Sequence, residues 1–157
     1  MRNKIVMYLF GVLSFGAGFF LGGKILVGLI NDYKKRMERN LSNMLLYNDW
    51  LEFIYSGGCI EQYFYMHEYR KIMIYGNGYI GNRLVQALTD TDIEITAVMD
   101  KAALYDKEEL VIGIDSEIPD VDCIVITPVF YYDEILGALR ERTRIPIVSI
   151  QKIIETV

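Results

Sequence analysis

From Ile5 to Ile30 the chain is apolar on every helical face, broken by one charge, Lys24, which is too greasy for too long to be one side of a soluble helix. The stretch Ile5 to Gly23 spans about 28 Å as a helix, close to the thickness of a hydrocarbon core. It predicts a single membrane-spanning anchor within residues 1–31, with Lys24 snorkelling to the headgroups. Arg2 and Lys4 before Ser14-Phe15-Gly16 would also suit a cleaved leader, but cutting there leaves a second greasy stretch exposed, so the anchor is read as uncleaved. Past the anchor, Tyr33, Met37, Leu41, Met44, Leu45, Leu51 and Ile54 recur near helical period up to Gly57-Gly58, predicting a connector helix with one wet face, ended by a glycine cap. Its stripe is expected to pack on the domain that follows; the alternative is a short coiled coil with a second copy. A brief helix over Ile60–Met66 completes a connector of residues 32–67.

After Lys71 the pattern changes to short apolar runs alternating with amphipathic stretches, the signature of strand-helix-strand units and a parallel sheet. The runs predict strands at Lys71–Tyr75, Ile93–Met99, weakly at Leu110–Ile112, at Cys123–Thr127 and at Ile145–Ser149. Helices are predicted over Tyr79–Leu88, over Tyr132–Arg142 and at the end of the chain. Right-handed crossovers give the strand order 3-2-1-4-5 within a domain of residues 68–157.

The loop Gly76-Asn77-Gly78-Tyr79-Ile80-Gly81 follows the first strand and opens the first helix of this domain. Gly76 suits a tight turn, Gly78 lets backbone approach a phosphate, and Gly81 lets helix and strand pack closely. The amides of the helix amino terminus then face an anion. Asp100, nineteen residues beyond Gly81, ends the second strand, where a carboxylate accepts hydrogen bonds from ribose hydroxyls. Together these features predict a Rossmann-like nucleotide-binding domain. Its ligand would lie across the carboxyl ends of strands one and four, which makes Thr127 and Pro128 the second wall. Thr127 could give its hydroxyl to a phosphate or sugar, or cap the following helix.

Composition and charge narrow the partners. The net charge of −5, with no basic stripe in the second half, argues against a nucleic-acid surface. Cys59 and Cys123 lack zinc or redox spacing, and His67 is the single histidine, so imidazole metal sites and triads have little to build on. His67 is read as a packing or surface residue. Aromatics at Tyr63, Phe64 and Tyr65 could stack on a base, but cover a sheet edge more cheaply. Arg2 and Lys4 face Lys24, Lys34, Lys35, Arg36 and Arg39 across the anchor, so the positive-inside rule points the carboxy-terminal part to the cytoplasm. Ser14, Gly18 and Gly22 form a small-xxx-small line that would let two anchors pair, hence a homodimer.

At "IMIYGNGYIGNRLVQAL", "IEITAVMD" and "VDCIVITP" the chain resembles the small Rossmann-like nucleotide-, nucleotide-sugar- or CoA-binding domains of bacterial polysaccharide-biosynthesis proteins. These include membrane-attached nucleotide-sugar dehydratases and epimerases and the initiating sugar-phosphate transferases. The likeness covers roughly Tyr69 to Val157. It implies a cytoplasm-facing domain on a single-pass membrane protein, binding NAD(P) or a nucleotide-sugar and working with a polysaccharide-synthesis partner. The Tyr-x-x-x-Lys pair of the dehydrogenase and epimerase group is missing: the nearest arrangement, Tyr79 with Arg83, lies on the glycine-loop helix. No second domain is read that could supply a substrate pocket, so the expectation is a binding module without catalysis of its own. Three alternatives stay open: the cofactor-binding half of an enzyme completed by a partner, an NAD-sensing regulatory subunit of a membrane transporter, and a scaffold with a vestigial loop.

Overall fold

The computed structural model describes the backbone of residues 2–102 and 110–157, and the side chains of residues 22–102 and 110–157. The elements run α1 (Arg2–Tyr55), α2 (Glu61–Met66), β1 (Lys71–Tyr75), α3 (Tyr79–Leu88), β2 (Glu94–Asp100), β3 (Val111–Gly113), β4 (Cys123–Ile126), α4 (Tyr132–Arg140), β5 (Ile147–Ser149) and α5 (Ile150–Thr156). A 3-10 turn at Val129–Tyr131 leads into α4. The chain divides into two compact units, Met1–Leu41 and Ser42–Val157.

In the first unit the expected membrane span, Ile5 to Gly23, lies but for its last two residues outside those whose side chains are described. Among the described residues, no helix is long and apolar enough to cross a membrane. Ile25, Leu26, Val27, Leu29 and Ile30 are all exposed.

In the second unit the sheet is five-stranded, in the order β3-β2-β1-β4-β5, and every neighbouring pair is parallel. That order is the one the alternation of apolar runs and helices predicts. β1 and β4 sit in the middle, and their apolar residues Ile72, Met73, Ile74, Cys123, Ile124, Val125 and Ile126 are fully buried, which is why they read as continuous greasy runs.

Successive side chains on a strand point to opposite faces, so the core falls into two layers. One layer joins Ile72, Ile74, Cys123 and Val125 to Leu46, Trp50 and Phe53 of α1, Phe64 of α2, Leu84 and Leu88 of α3, and Ile150 and Ile153 of α5. The other joins Met73, Met99, Ile124 and Ile126 to Ile135 and Leu139 of α4.

α1 ends as the glycine pair predicts. Gly57 takes φ +83°, its N–H donates to Ile54 C=O at 3.0 Å, and Gly58 N–H reaches Phe53 C=O at 2.9 Å. These are the two bonds of a Schellman cap. The face of α1 that packs differs from the expectation. Leu46, Trp50 and Phe53 enter the core, whereas Tyr33, Met37, Leu41, Met44, Leu45, Leu51 and Ile54 are exposed. The helix carries two apolar stripes, and periodicity alone does not say which one meets the domain.

One exposed carboxylate ties the first strand to the fourth. Asp122 Oδ2 accepts from Arg70 N–H at 2.7 Å and from Lys71 N–H at 2.8 Å, and Asp122 N–H donates to Lys71 C=O at 2.8 Å. The amides of Lys71 and Arg70 hold this carboxyl below its usual range. A group with a lowered folded-state pKa contributes fully at neutral pH, and the contribution is lost as the pH falls through the lowered value. Asp122→Ala is therefore expected to cost about 1 kcal/mol at neutral pH, after allowance for solvent screening. Urea unfolding of variant and parent should converge in acid.

Candidate functional site

The site begins where β1 runs out. Gly76 N–H closes the β1–β2 ladder on Met99 C=O at 2.8 Å, and Gly76 then turns with φ +109°, a region side chains avoid. A Cβ here would also lie 2.6 Å from Thr127 Oγ1 and 2.9 Å from the Pro128 ring, so β1 and the start of the β4–α4 loop meet through the missing side chain. Gly81 is the second close approach: a Cβ there would overlap the Gly76 carbonyl oxygen. Both glycines therefore do what the sequence pattern asks of them.

Gly78 is different. Its backbone is extended, with φ −80° and ψ −173°, which any residue can adopt, and nothing among the described residues lies within 4 Å of where its Cβ would be. The protein itself does not require glycine at this position. What lies beside it is the open amino terminus of α3. Gly78 is the N-cap residue and brings no side chain of its own to cap the helix. The ladder begins with Asn82 N–H on Gly78 C=O at 3.0 Å, so the amides of Tyr79, Ile80 and Gly81 are the orphan donors of the first turn. The helix dipole adds partial positive charge at the same place.

The loop is held from behind. Asn77 N–H donates to Asp100 Oδ2 at 2.7 Å, while Asp100 Oδ1 accepts from Ala102 N–H at 2.7 Å. The structure thus brings the predicted acid and the predicted loop together, but with a task added. Asp100 fixes Asn77 through the backbone, and each oxygen keeps a further lone pair. Thr127 is buried, and its hydroxyl lies 3.1 Å from Tyr75 C=O and 3.2 Å from Gly76 C=O. That hydrogen is committed to β1, so in this structure it serves neither a helix cap nor an open donor position. Pro128 is the N-cap of the 3-10 turn and walls the loop through its ring.

Sequence reasoning passed over Tyr47 and took Arg83 only as the nearest stand-in for a missing lysine. Tyr47, on the packing side of α1, sets its ring edge-on to Tyr79 with centroids 4.8 Å apart, and its buried hydroxyl has no hydrogen-bond partner among the described residues. Burial, then the neighbouring Tyr79, pushes its pKa up. Arg83 donates to the Tyr79 hydroxyl and to Gln86 Oε1, each at 2.9 Å, and its guanidinium carbon lies 5.0 Å from the centre of the Tyr79 ring. It places a cation one turn from the open amides. The i, i+4 spacing of Tyr79 and Arg83 was the available signal for the second; nothing in the sequence marks Tyr47.

The remaining candidates go to structural duties. Phe64 and Tyr63 are buried in the core. The exposed His67 stacks on Tyr63 at 4.2 Å and on Tyr69 at 5.5 Å, with Nδ1 2.8 Å from Tyr63 C=O. Burial lifts the Cys123 thiol to about 12, which removes it as a nucleophile. A cavity of about 350 Å³ opens among Tyr75, Lys101, Asp115, Glu134 and Arg142, and none of the residues 76–81 lines it. Burial first, and then the carboxylates of Asp100 and Glu134, raise the Tyr75 phenol.

Chemically, then, the loop offers the first-turn N–H donors of α3, open space above Gly78 among the described residues, a carboxylate at the second strand end, and a nearby guanidinium. Such groups can together hold an anionic oxygen. Comparison with protein-family models, curated proteins and solved structures found no match to this chain.

Proposed function

We propose that this chain is a membrane-anchored module that holds the phosphate of a nucleotide or nucleotide-sugar against the first turn of α3. It would serve as an accessory or regulatory partner in bacterial surface-polysaccharide biosynthesis. The binding half of this reading rests on one observation: the amides of Tyr79, Ile80 and Gly81 open a helix whose N-cap, Gly78, brings no capping side chain, with clear space above Gly78 among the described residues. A helix amino terminus behind a glycine turn suits an anion. The membrane half is supported by the apolar run from Ile5 to Gly23 and by the exposed Ile25, Leu26 and Leu29 just beyond it, which lie off the helix line of Val27 and Ile30. The polysaccharide half is supported by the resemblance carried on the glycine loop and the strands beside it.

In this reading the backbone amides hold the phosphate, Asp100 accepts from a ribose hydroxyl with its remaining lone pairs, and Arg83 adds long-range attraction. No bond is made or broken by this chain alone. A carboxylate at the end of β2 repels a ribose 2′-phosphate, so NADP is expected to bind least among the dinucleotides.

The test is a thermal-shift panel on the full chain in detergent micelles with NAD, NADP, CoA and uridine nucleotide-sugars. A ligand present at a hundred times its dissociation constant should add about 2.7 kcal/mol of stability. A response to uridine nucleotide-sugars supports the polysaccharide role. A response to adenine dinucleotides alone would move the reading to a transporter-regulating sensor, and silence across the panel would remove it.

A further inference from the structure

α1 carries an apolar line that its own domain does not use. In the unit Ser42–Val157, the core takes Leu46, Trp50 and Phe53, while Met44, Leu51 and Tyr55 are each more than half exposed. At 3.6 residues per turn these two sets lie on opposite sides of the helix. In the unit Met1–Leu41, the side chains of Val27, Ile30, Met37 and Leu41 are likewise more than half exposed.

The sequence keeps one heptad frame through all of them. Positions d are Ile30, Met37, Met44 and Leu51; positions a are Val27, Lys34, Leu41, Asn48 and Tyr55. We infer that this seam joins two copies of the chain as a parallel two-stranded coiled coil running from Val27 to Tyr55, about 43 Å long at 1.5 Å per residue.

The polar members of the frame identify the occupant. A single Asn or Lys at an a position specifies register and strand number at some cost in stability. In a parallel pair in register, Asn48 meets Asn48 of the second copy, and each amide can both donate and accept. An antiparallel pair sets a against d, so Asn48 would face an apolar side chain such as Met37 and lose its partner. Lys34 can lay its stem along the seam and carry its ammonium outward toward Glu38, which stands at the flanking e position 3.9 Å away in the same chain.

Lipid is a poor alternative cover here. The helix surface from Asp32 to Arg39 is thick with charge, including an Asp32–Arg36 pair at 3.0 Å, and such a surface does not enter hydrocarbon. From Met44 to Tyr55 the core of the Ser42–Val157 unit cannot cover the line either, because it already takes the other side of the helix.

The experiment uses the full chain in mild detergent, with Cys59→Ser as background. In Leu51→Cys, at position d, the two copies should form a disulfide under mild oxidation at least about tenfold faster than in Asp49→Cys, whose thiol would point away from a parallel seam. Light scattering should give a dimer, and Met44→Glu with Leu51→Glu should raise its dissociation constant by about a hundredfold or more. Both positions are exposed, so cooperative unfolding followed by Trp50 fluorescence should be retained. Asn48→Leu should keep the association but admit larger assemblies. A monomer at every concentration, equal cross-linking at 49 and 51, or a dimer unmoved by the double glutamate variant would overturn the proposal. The last result would hand pairing to the residues before Val27.

Discussion

Gly81→Ala should lower the stability of the Ser42–Val157 unit by about 2 kcal/mol, although alanine is the better helix former by about 1 kcal/mol. The added methyl overlaps the Gly76 carbonyl oxygen, which has nowhere to go. The Gly76 N–H is bound to Met99 at 2.8 Å, and the Thr127 hydroxyl sits 3.2 Å from that carbonyl. Overpacking of this kind costs about 1–3 kcal/mol and sometimes more, enough to outweigh the helix propensity. The control is Gly137→Ala in α4, where nothing lies within 4 Å of a Cβ; there propensity acts alone, and stability should rise by up to about 1 kcal/mol. Urea unfolding read through Trp50, the single tryptophan and a buried one, measures both. If the two substitutions moved the midpoint in the same direction, the close approach of α3 to the end of β1 would be wrong.

That approach was legible in the chain itself, because glycine at 76 and 81 is a local statement about backbone. The central strands were legible for a related reason: a strand buried on both faces must be apolar at every position, as "KIMIY" and "CIVI" nearly are. Other features depend on what a residue meets from far along the chain. The Thr127 hydroxyl finds carbonyls about fifty residues earlier, and no local pattern distinguishes that latch from a helix cap. β5 is shorter than its apolar run suggests, beginning at Ile147 rather than Ile145, just after Pro146, which has no N–H to give a ladder. The exposed stripe of α1 is the instructive case. Two apolar stripes lie on opposite sides of one helix. Only the bulk of Trp50 and Phe53 hinted at which side the sheet would take.

The largest effect on binding is expected from Gly78→Asp, and it should come with a gain in stability. Position 78 is the N-cap of α3 and its backbone is already extended, so a side chain fits without strain, and open space surrounds the Cβ position. An aspartate there can accept from the amides of Ile80 or Gly81 and places a negative charge at the positive end of the helix. The fold should gain a few tenths of a kcal/mol from the cap, rising to at most about 1 kcal/mol with the charge–dipole interaction. The same carboxylate occupies the cradle that a ligand phosphate would use and repels it, so the stabilisation of about 2.7 kcal/mol from a saturating nucleotide should vanish. Gly78→Ala separates the two effects: it supplies no anion, leaves stability within about 1 kcal/mol, and should weaken binding only as far as its methyl blocks approach. The informative pattern is therefore opposite signs in one protein, a higher midpoint without ligand and no response with it. A Gly78→Asp chain that still responded to nucleotide as the parent does would place the ligand elsewhere, the Tyr75 cavity being the next place to look.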